Sequence, residues 1–208
     1  MNIYKPVEVT ALDAAKVQLD TAIGLFLLNV HPAPIHTLVG AAQELLKGLS
    51  ISYARARGSP APFTHLDEKE MALRMMRTSK MNDIRNFLKH KVAEAQSTVS
   101  LNIDINSNWI LDCIDSLAAM NEPPSAMIQL QIDWVLDVHF KQVTFPPGTA
   151  FETIVERVVS ERGHPFGTAE TTISWLKDKL SGPTPLAVPD WFRASVFGSA
   201  PLADQPQA

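Results

Sequence analysis

The sequence predicts an all-α protein: an antiparallel bundle of about five helices, followed by two shorter helices and a Pro-rich tail. Apolar residues recur at spacings of three and four along several long stretches, as on the buried face of a helix. Pro and Gly clusters separate these stretches and mark where helices stop. One short stretch alternates apolar and polar residues, but no partner strand is evident, so a β-sheet is not expected.

The first predicted helix begins after Thr10, whose side chain can cap it, with Asp13 in the place of the capping-box Glu. Residues 31–34 contain two prolines and end this helix. Its core stripe at helical spacing comprises Leu12, Ala15, Leu19, Ala22, Ile23 and Phe26.

The second predicted helix has Pro34 in its first turn, where proline is well tolerated. A short loop joins it to the first helix, so the two are expected to pack as an antiparallel hairpin. Small residues at positions 40–42 allow another helix to approach closely. Its core stripe comprises Ile35, Leu38, Val39, Ala42, Leu45, Leu46 and Leu49.

A long third helix is predicted from Asp67 to about Ala95. The following stretch, Ser97 to Asn108, alternates apolar and polar residues and is predicted to be an extended connection. The core stripe of the third helix comprises Leu73, Met76, Ile84, Phe87, Leu88, Val92 and Ala95.

Four further helices are predicted after this connection. The fourth runs from about Ser107 to Met120 and the fifth from about Pro124 to Phe140. Two shorter amphipathic helices follow, over Phe151–Ser160 and Thr168–Leu180.

The domain organisation follows from these helices and from the prolines between them. Residues 1–145 are predicted to form the helical bundle domain, and residues 146–180 a helical extension packed on it. Residues 181–208 form a Pro-rich tail, with five prolines in 28 residues. We expect this tail to be partly disordered, above all in its last eight residues.

Composition excludes several classes of protein. The formal net charge of −4 over 208 residues argues against a wholly basic nucleic-acid binder. Cys113 is the single cysteine, which excludes an internal disulfide and suits a reducing compartment. The longest apolar run, Ala22 to Leu28, is far shorter than the roughly 20 residues of a membrane span. We therefore expect a cytoplasmic protein with no membrane partner.

The clearest chemical signal is Arg85, followed at once by the polar Asn86 and five positions later by His90. On a helix, Arg85 and His90 fall about 110° to either side of the core stripe. Asn82, Asn86 and Lys89 lie between them on the outer face. The result is one continuous polar face without a carboxylate, which could bind RNA phosphates.

This pattern resembles the motif of the HEPN superfamily, small and often dimeric helical bundles of toxin–antitoxin, phage-defence and CRISPR systems. The resemblance implies a metal-independent endoribonuclease or an RNA-binding protein. Arg85 would stabilise phosphate charge, His90 would be the acid–base group and Asn86 would orient one of them. The expected binding residues are Lys89, Asn82 and His36.

A single chain does not satisfy that chemistry easily. Arg85 and His90 are about 140° apart around one helix, too far for both to bind one phosphate. Either the helix loosens near Lys89, or a homodimer pairs two copies of the Asn82–His90 helix face. The HEPN resemblance implies the homodimer.

A second resemblance covers residues from about 10 to 120 and concerns a family of uncharacterised bacterial helical proteins. It implies a helical fold and a cytosolic bacterial origin. Relatives often follow the last matching His with an Ala-Asp-Arg-Asp-Pro run, where this chain has Lys91-Val92-Ala93-Glu94. The matching stretches are Ala14-Ala15, Gln18-Leu19, Ala22-Ile23, Ile35-His36-Thr37-Leu38, Ala41-Ala42 and Asn86-Phe87-Leu88-Lys89-His90.

No metal or other cofactor is expected. The carboxylate pairs Asp112/Asp115 and Asp133/Asp137 can each share a helix face. Bundle metal sites also use Glu-x-x-His on two helices, and this chain has it once, interrupted by Gly163. Paired-Cys, His-Glu-x-x-His and Gly-rich phosphate motifs are absent from the sequence.

Two questions stay open at this level. His36 lies next to the core stripe. It points toward the site of His90, points toward Asp20 or Asp13 across the hairpin, or is a half-buried residue held by hydrogen bonds. The protein is either an enzyme or a non-catalytic helical interaction module that binds a protein partner through its bundle surface or tail.

Overall fold

The computed structural model describes residues 7–58, 79–88, 98–101, 103–135, 137, 169–183 and 186–198. These residues contain helices and no strand, which confirms the predicted all-α fold. The helices are α1 (Ala11–Leu27), α2 (Pro32–Arg57), α3 (79–88), α4 (Ile103–Ala119), α5 (Ala126–Trp134), α6 (Ala169–Leu180) and α7 (Asp190–Phe197).

The chain divides into two compact units. The first unit comprises Met1–Phe26 and Val30–Pro124, and the second comprises Leu27–Asn29 and Ser125–Ala208. Helices α2, α3 and α4 belong to the first unit, and α5, α6 and α7 to the second.

The capping box predicted at the start of α1 is confirmed. The Thr10 hydroxyl oxygen accepts a hydrogen bond from the Asp13 backbone N–H at 3.1 Å and donates one to the Asp13 carboxylate at 2.6 Å. The Thr10 backbone N–H also donates to that carboxylate, at 3.4 Å. These bonds satisfy donors that a helix N-terminus otherwise leaves unpaired, so they set where α1 begins. The residues of the predicted stripe that are buried are Ala15, Leu19, Ala22, Ile23 and Phe26.

The capping box of Thr10 and Asp13 predicts how the free energy of unfolding changes at low pH. The hydrogen bond from the Thr10 hydroxyl, followed by that from the Thr10 backbone, lowers the pKa of Asp13 below its usual 3.8. When the pKa of a carboxyl group is lower in the folded protein than in the unfolded chain, its ionised form stabilises the fold. That stabilisation is complete above the pKa of the unfolded chain and is lost as the pH falls through the pKa of the folded protein. Asp13→Asn should therefore lose less stability than wild type on acidification below about pH 4.

Urea unfolding at a series of pH values measures this difference. Thr10→Ala removes the main hydrogen bond to the carboxylate and should reduce the same pH dependence. An Asp13→Asn protein whose stability falls as steeply with acid as the wild type would contradict the assignment.

Helix α2 begins two residues earlier than Pro34, at Pro32, because His31 caps it. The His31 Nδ1 atom accepts a hydrogen bond from the Ala33 N–H at 3.2 Å. At the other end, Gly58 adopts a left-handed conformation with φ of 63° and donates its N–H to the Arg55 carbonyl. The buried residues of α2 are Ile35, His36, Val39, Gly40, Ala42, Leu46, Ser50 and Ala54. Leu38, Leu45 and Leu49 of the predicted stripe are only half-buried, so the buried face is turned from the predicted one toward His36 and Gly40.

Helices α2 and α4 run in the same direction. The Asn106 side chain, near the start of α4, donates to the carbonyl of Pro32 at the start of α2. The Asn121 side chain, just beyond the end of α4, donates to the hydroxyl of Tyr53 near the end of α2. The antiparallel order predicted for the bundle therefore does not extend to this pair of helices.

Helix α4 begins at Ile103, so the prediction of an extended segment over Ser97–Asn108 is wrong beyond residue 102. Residues 98–101 are not helical. Asn106 occupies a buried helical position, and a polar residue there hides the apolar periodicity from the sequence. The buried residues on this face of α4 are Asn106, Trp109, Ile110, Cys113 and Leu117, at helical spacing.

In the second unit, α6 confirms the helix predicted over Thr168–Leu180. The Lys179 ammonium lies 2.7 Å from the Asp137 carboxylate and 3.9 Å from that of Asp133. The hydrogen bond to Asp137 raises the pKa of Lys179 above its usual value. The Asp133/Asp137 pair, considered from the sequence as a metal-binding pair, therefore holds an ammonium group.

The Pro-rich tail contains a helix that the sequence analysis did not anticipate, α7. Phe192 is fully buried, and the Arg193 guanidinium donates to the carbonyls of Leu180 and Leu186 at 3.1 and 2.9 Å. These contacts connect α7 to α6 and to the segment that joins them. The buried residues of α7 are Phe192 and Val196, which are apolar and lie four positions apart.

Some predictions fall outside the described residues. They are the ends of the third helix, the helix over Phe151–Ser160, the positions of Lys89 and His90, and the last eight residues. Among the helices that the structure describes, none has the length and apolar character needed to cross a membrane.

Candidate functional site

His36 is the centre of a polar cluster buried between α2, α3 and α4. Its side chain has no exposed surface. The Nδ1 atom lies 2.9 Å from the Asn106 Oδ1 atom, and the Nε2 atom lies 3.1 Å from the carbonyl oxygen of Met81 on α3. The imidazole of α2 therefore lies within hydrogen-bonding distance of an acceptor on α4 and of another on α3, and a neutral ring donates to one of the two.

Asn106 and Trp109 fix the orientation of that ring. The Asn106 amide donates through Nδ2 to the Pro32 carbonyl at 3.1 Å, which leaves its Oδ1 atom facing His36. The indole of Trp109 stacks on the imidazole, with ring centroids 4.8 Å apart and planes inclined by 22°. His36, predicted as a binding residue, is thus enclosed by protein groups on both nitrogens and on one face. This arrangement suits a residue that stabilises the packing of the helices rather than one that contacts a ligand.

Arg85, predicted as the phosphate-binding residue, points toward α2. Its Nη1 atom donates to the Glu44 carboxylate at 2.9 Å. The Arg85 side chain is 16% exposed and that of Glu44 is 63% exposed. This carboxylate therefore occupies Nη1 and offsets the charge of Arg85, so that a phosphate would have to bind through the other N–H groups or displace Glu44.

The stem of Arg85 passes over Gly40, next to the ring of Trp109. A Cβ atom added at Gly40 would lie 2.6 Å from Trp109 Cζ3 and 3.3 Å from Arg85 Cδ. The glycine thus allows α2, the indole and the arginine stem to meet in one place. Because Met81 pairs with His36 and Arg85 with Glu44, α3 runs in the same direction as α2.

The other motif residue that the structure describes, Asn86, lies at a different surface. It borders a cavity of about 560 Å³ between α3 and residues 98–101. Asn82 is half-buried on the same helix. The structure therefore brings His36 and Arg85 together at Trp109 but does not bring Asn86 to them. The residues lining the cavity include Lys80, Asp83, Ile84, Asn86, Phe87, Val99 and Ser100.

Several residues around His36 and at the cavity were not predicted as site residues from the sequence. Nothing in the pattern singled out Glu44, Asn106 or Trp109, because each has an ordinary helical context. Lys80 and Asp83 belong to the same helix as the motif but lie outside it, so the motif did not assign them to the site.

Metal and thiol chemistry find no support in the part of the chain that is described. There, no group of three or more His, Cys, Asp or Glu side chains could hold a metal ion. Burial raises the pKa of the Cys113 thiol well above its usual value, so the thiol stays protonated. Its Sγ atom lies 3.9 Å from the Val39 carbonyl, inside the core.

Comparisons with known proteins add no family. No protein-family model matches the chain, and no match was found among curated proteins or solved structures. The HEPN and bacterial-family resemblances therefore stay predictions.

Proposed function

We propose that this protein is a cytosolic, non-catalytic helical module that binds a small ligand in the cavity between α3 and residues 98–101. The cavity itself is the observation that carries the proposal. The cavity opens widely to solvent, and its volume of about 560 Å³ falls within the range of small-molecule sites, roughly 300 to 1,000 Å³.

The lining of the cavity supports a binding role. Ile84 is buried and forms an apolar floor with the half-buried Phe87 and Val99. Exposed polar side chains, among them Asn86 and Ser100, stand around it. Ligand sites in proteins combine these two elements: apolar surface gives affinity, and a few polar groups fix orientation.

The environment of Arg85 favours a non-catalytic module over the nuclease. A catalytic cation must be free to meet the developing charge of the transition state. Here the Nη1 atom is bound to Glu44, and both the arginine stem and the ring of Trp109 lie close to Gly40. These contacts suit a structural arginine.

Methyl NMR tests the binding proposal directly. Benzyl alcohol and isoamyl alcohol serve as neutral apolar probes, and we expect saturable shifts of the Ile84 and Val99 methyl groups. Ser100→Trp should fill the cavity and abolish the shifts, whereas Ser52→Trp, on the exposed face of α2, should leave them unchanged. Absence of saturable shifts in the wild type would overturn the proposal.

The second candidate is the metal-independent endoribonuclease. One observation favours it: Asn86 of the motif and the cation of Lys80 border the same cavity. The purified protein would then cleave RNA in EDTA, and His90→Ala would abolish cleavage without lowering Tm. The protein would also be a homodimer, paired along the Asn82–His90 helix face.

Arg85 needs a more careful test in this assay, because it also packs in the core. Arg85→Lys keeps the charge and the stem, and Glu44→Gln releases the guanidinium from its carboxylate. A catalytic Arg85 predicts faster cleavage by Glu44→Gln than by wild type. Intact RNA across a broad panel of substrates would exclude the nuclease.

A further inference from the structure

We infer that the ligand of this cavity is an apolar α-amino acid, bound as its zwitterion; this rests on the proposed binding function. Lys80 and Asp83 carry opposite charges and lie one turn apart on α3, both exposed at the cavity. Neither forms an ion pair with another residue that the structure describes. Two opposite charges are therefore presented side by side at one rim.

The spacing of these two residues suits a zwitterion. Side chains three positions apart on a helix have Cβ atoms about 5 to 6 Å apart. An amino acid carries its ammonium and carboxylate on the same carbon, so Asp83 can bind the first while the longer Lys80 reaches the second. The Asn86 amide and the Ser100 hydroxyl remain for further hydrogen bonds to the carboxylate.

The floor of the cavity determines the side chain of the ligand. Positions 80, 83, 84 and 87 share one face of α3, so the apolar Ile84 and Phe87 lie beside the two charges. A ligand that pairs with both charges must place its third substituent against this floor. Burial of that substituent is favourable only when it is apolar.

Other ligand classes fit the rim less well. A polyanion such as RNA would meet the carboxylate of Asp83 as closely as the ammonium of Lys80, and like charges repel. A ligand with one charge leaves either Lys80 or Asp83 without a partner. The zwitterion is the class that uses both.

Three related compounds test this chemistry by titration, followed at the Ile84 and Val99 methyl groups. L-Phenylalanine has both charges, phenethylamine lacks the carboxylate, and 3-phenylpropanoate lacks the ammonium. We expect L-phenylalanine to bind roughly threefold to fivefold more tightly than either analogue, the upper part of the range for exposed ion pairs.

Two substitutions test which residues bind the charged groups of the ligand. Lys80→Met should weaken L-phenylalanine to the level of phenethylamine, and Asp83→Asn should weaken it to that of 3-phenylpropanoate. Lys177→Met and Asp178→Asn remove equally exposed charges from α6 and should change none of the affinities. Circular dichroism should show the same Tm for all four variants, because each replaced side chain is exposed.

The outcomes separate the two proposals. Equal affinity of the three compounds, or variants of Lys80 and Asp83 that bind like wild type, would overturn the zwitterion while the cavity remains a binding site. No saturable shift with these compounds or with the neutral probes would overturn the binding function itself.

Discussion

Replacing His36 with alanine should lower the free energy of unfolding by about 3 to 4 kcal/mol. The imidazole is fully buried, and each of its nitrogens faces an acceptor, Asn106 Oδ1 or the Met81 carbonyl. Its loss removes the group that faces the buried Asn106 Oδ1 atom, whereas the Met81 carbonyl keeps its backbone hydrogen bond within α3. An orphaned buried acceptor costs about 1 to 3 kcal/mol, and the space left against Trp109 adds a cavity cost.

A double-mutant cycle with Asn106→Ala separates these contributions. The protein with both changes should lose less stability than the sum of the single losses, because each single change leaves one atom of the His36–Asn106 pair without its partner and the double change removes both atoms. Urea unfolding followed by circular dichroism gives the four free energies. His31→Ala is the matched control: this exposed histidine caps α2 and should cost only about 1 kcal/mol. A loss below about 1 kcal/mol for His36→Ala would refute the structural role of His36.

The second large effect should come from a pair of glycines on the same helix. Gly40→Ala places a Cβ atom 2.6 Å from Trp109 Cζ3 and 3.1 Å from Cη2, within a packed core. Overpacking of this kind costs about 1 to 3 kcal/mol, more than the helix propensity of alanine returns. Gly48→Ala meets nothing within 4 Å and should stabilise the protein by up to about 1 kcal/mol.

The two substitutions are chemically identical, so the sign of the difference between them isolates the close approach at Gly40. Thermal and urea unfolding of the two variants measure it. Trp109 fluorescence should also change in Gly40→Ala and not in Gly48→Ala, since only Gly40 touches the indole. If both variants gained stability, α2 and α4 would not approach as closely as described.

The helices of this protein could be predicted well where local chemistry determines them. The capping box of Thr10 and Asp13 is visible in the sequence because it involves residues three apart. The apolar stripe of α1 could be predicted for the same reason, because its residues recur three and four positions apart. The start of α4 could not, because the buried position of Asn106 is occupied by a polar residue whose partners, Pro32 and His36, lie on another helix.

The candidate site depends far more on tertiary contacts. Helical projection placed Arg85 at the border between the buried and exposed faces, about 110° from the core stripe. A side chain at such a border can turn either way, and periodicity does not decide between them. The direction of Arg85 is set by residues of other helices: Gly40 leaves space, Trp109 provides a ring and Glu44 a carboxylate, all on the same side. The direction of Arg85 was therefore beyond prediction from its own helix.

The shared direction of α2 and α4 has a consequence for how the chain folds. The contacts that connect them join residues 70 and 74 positions apart in sequence, such as His36 with Asn106 and Val39 with Cys113. Contacts of this range raise the contact order, and loop-closure entropy slows their formation. During synthesis, the apolar face of α2 must wait for α4 to leave the ribosome before it can be covered. The nascent chain thus exposes that face to aggregation, or to a chaperone, for most of the time taken to make the first unit.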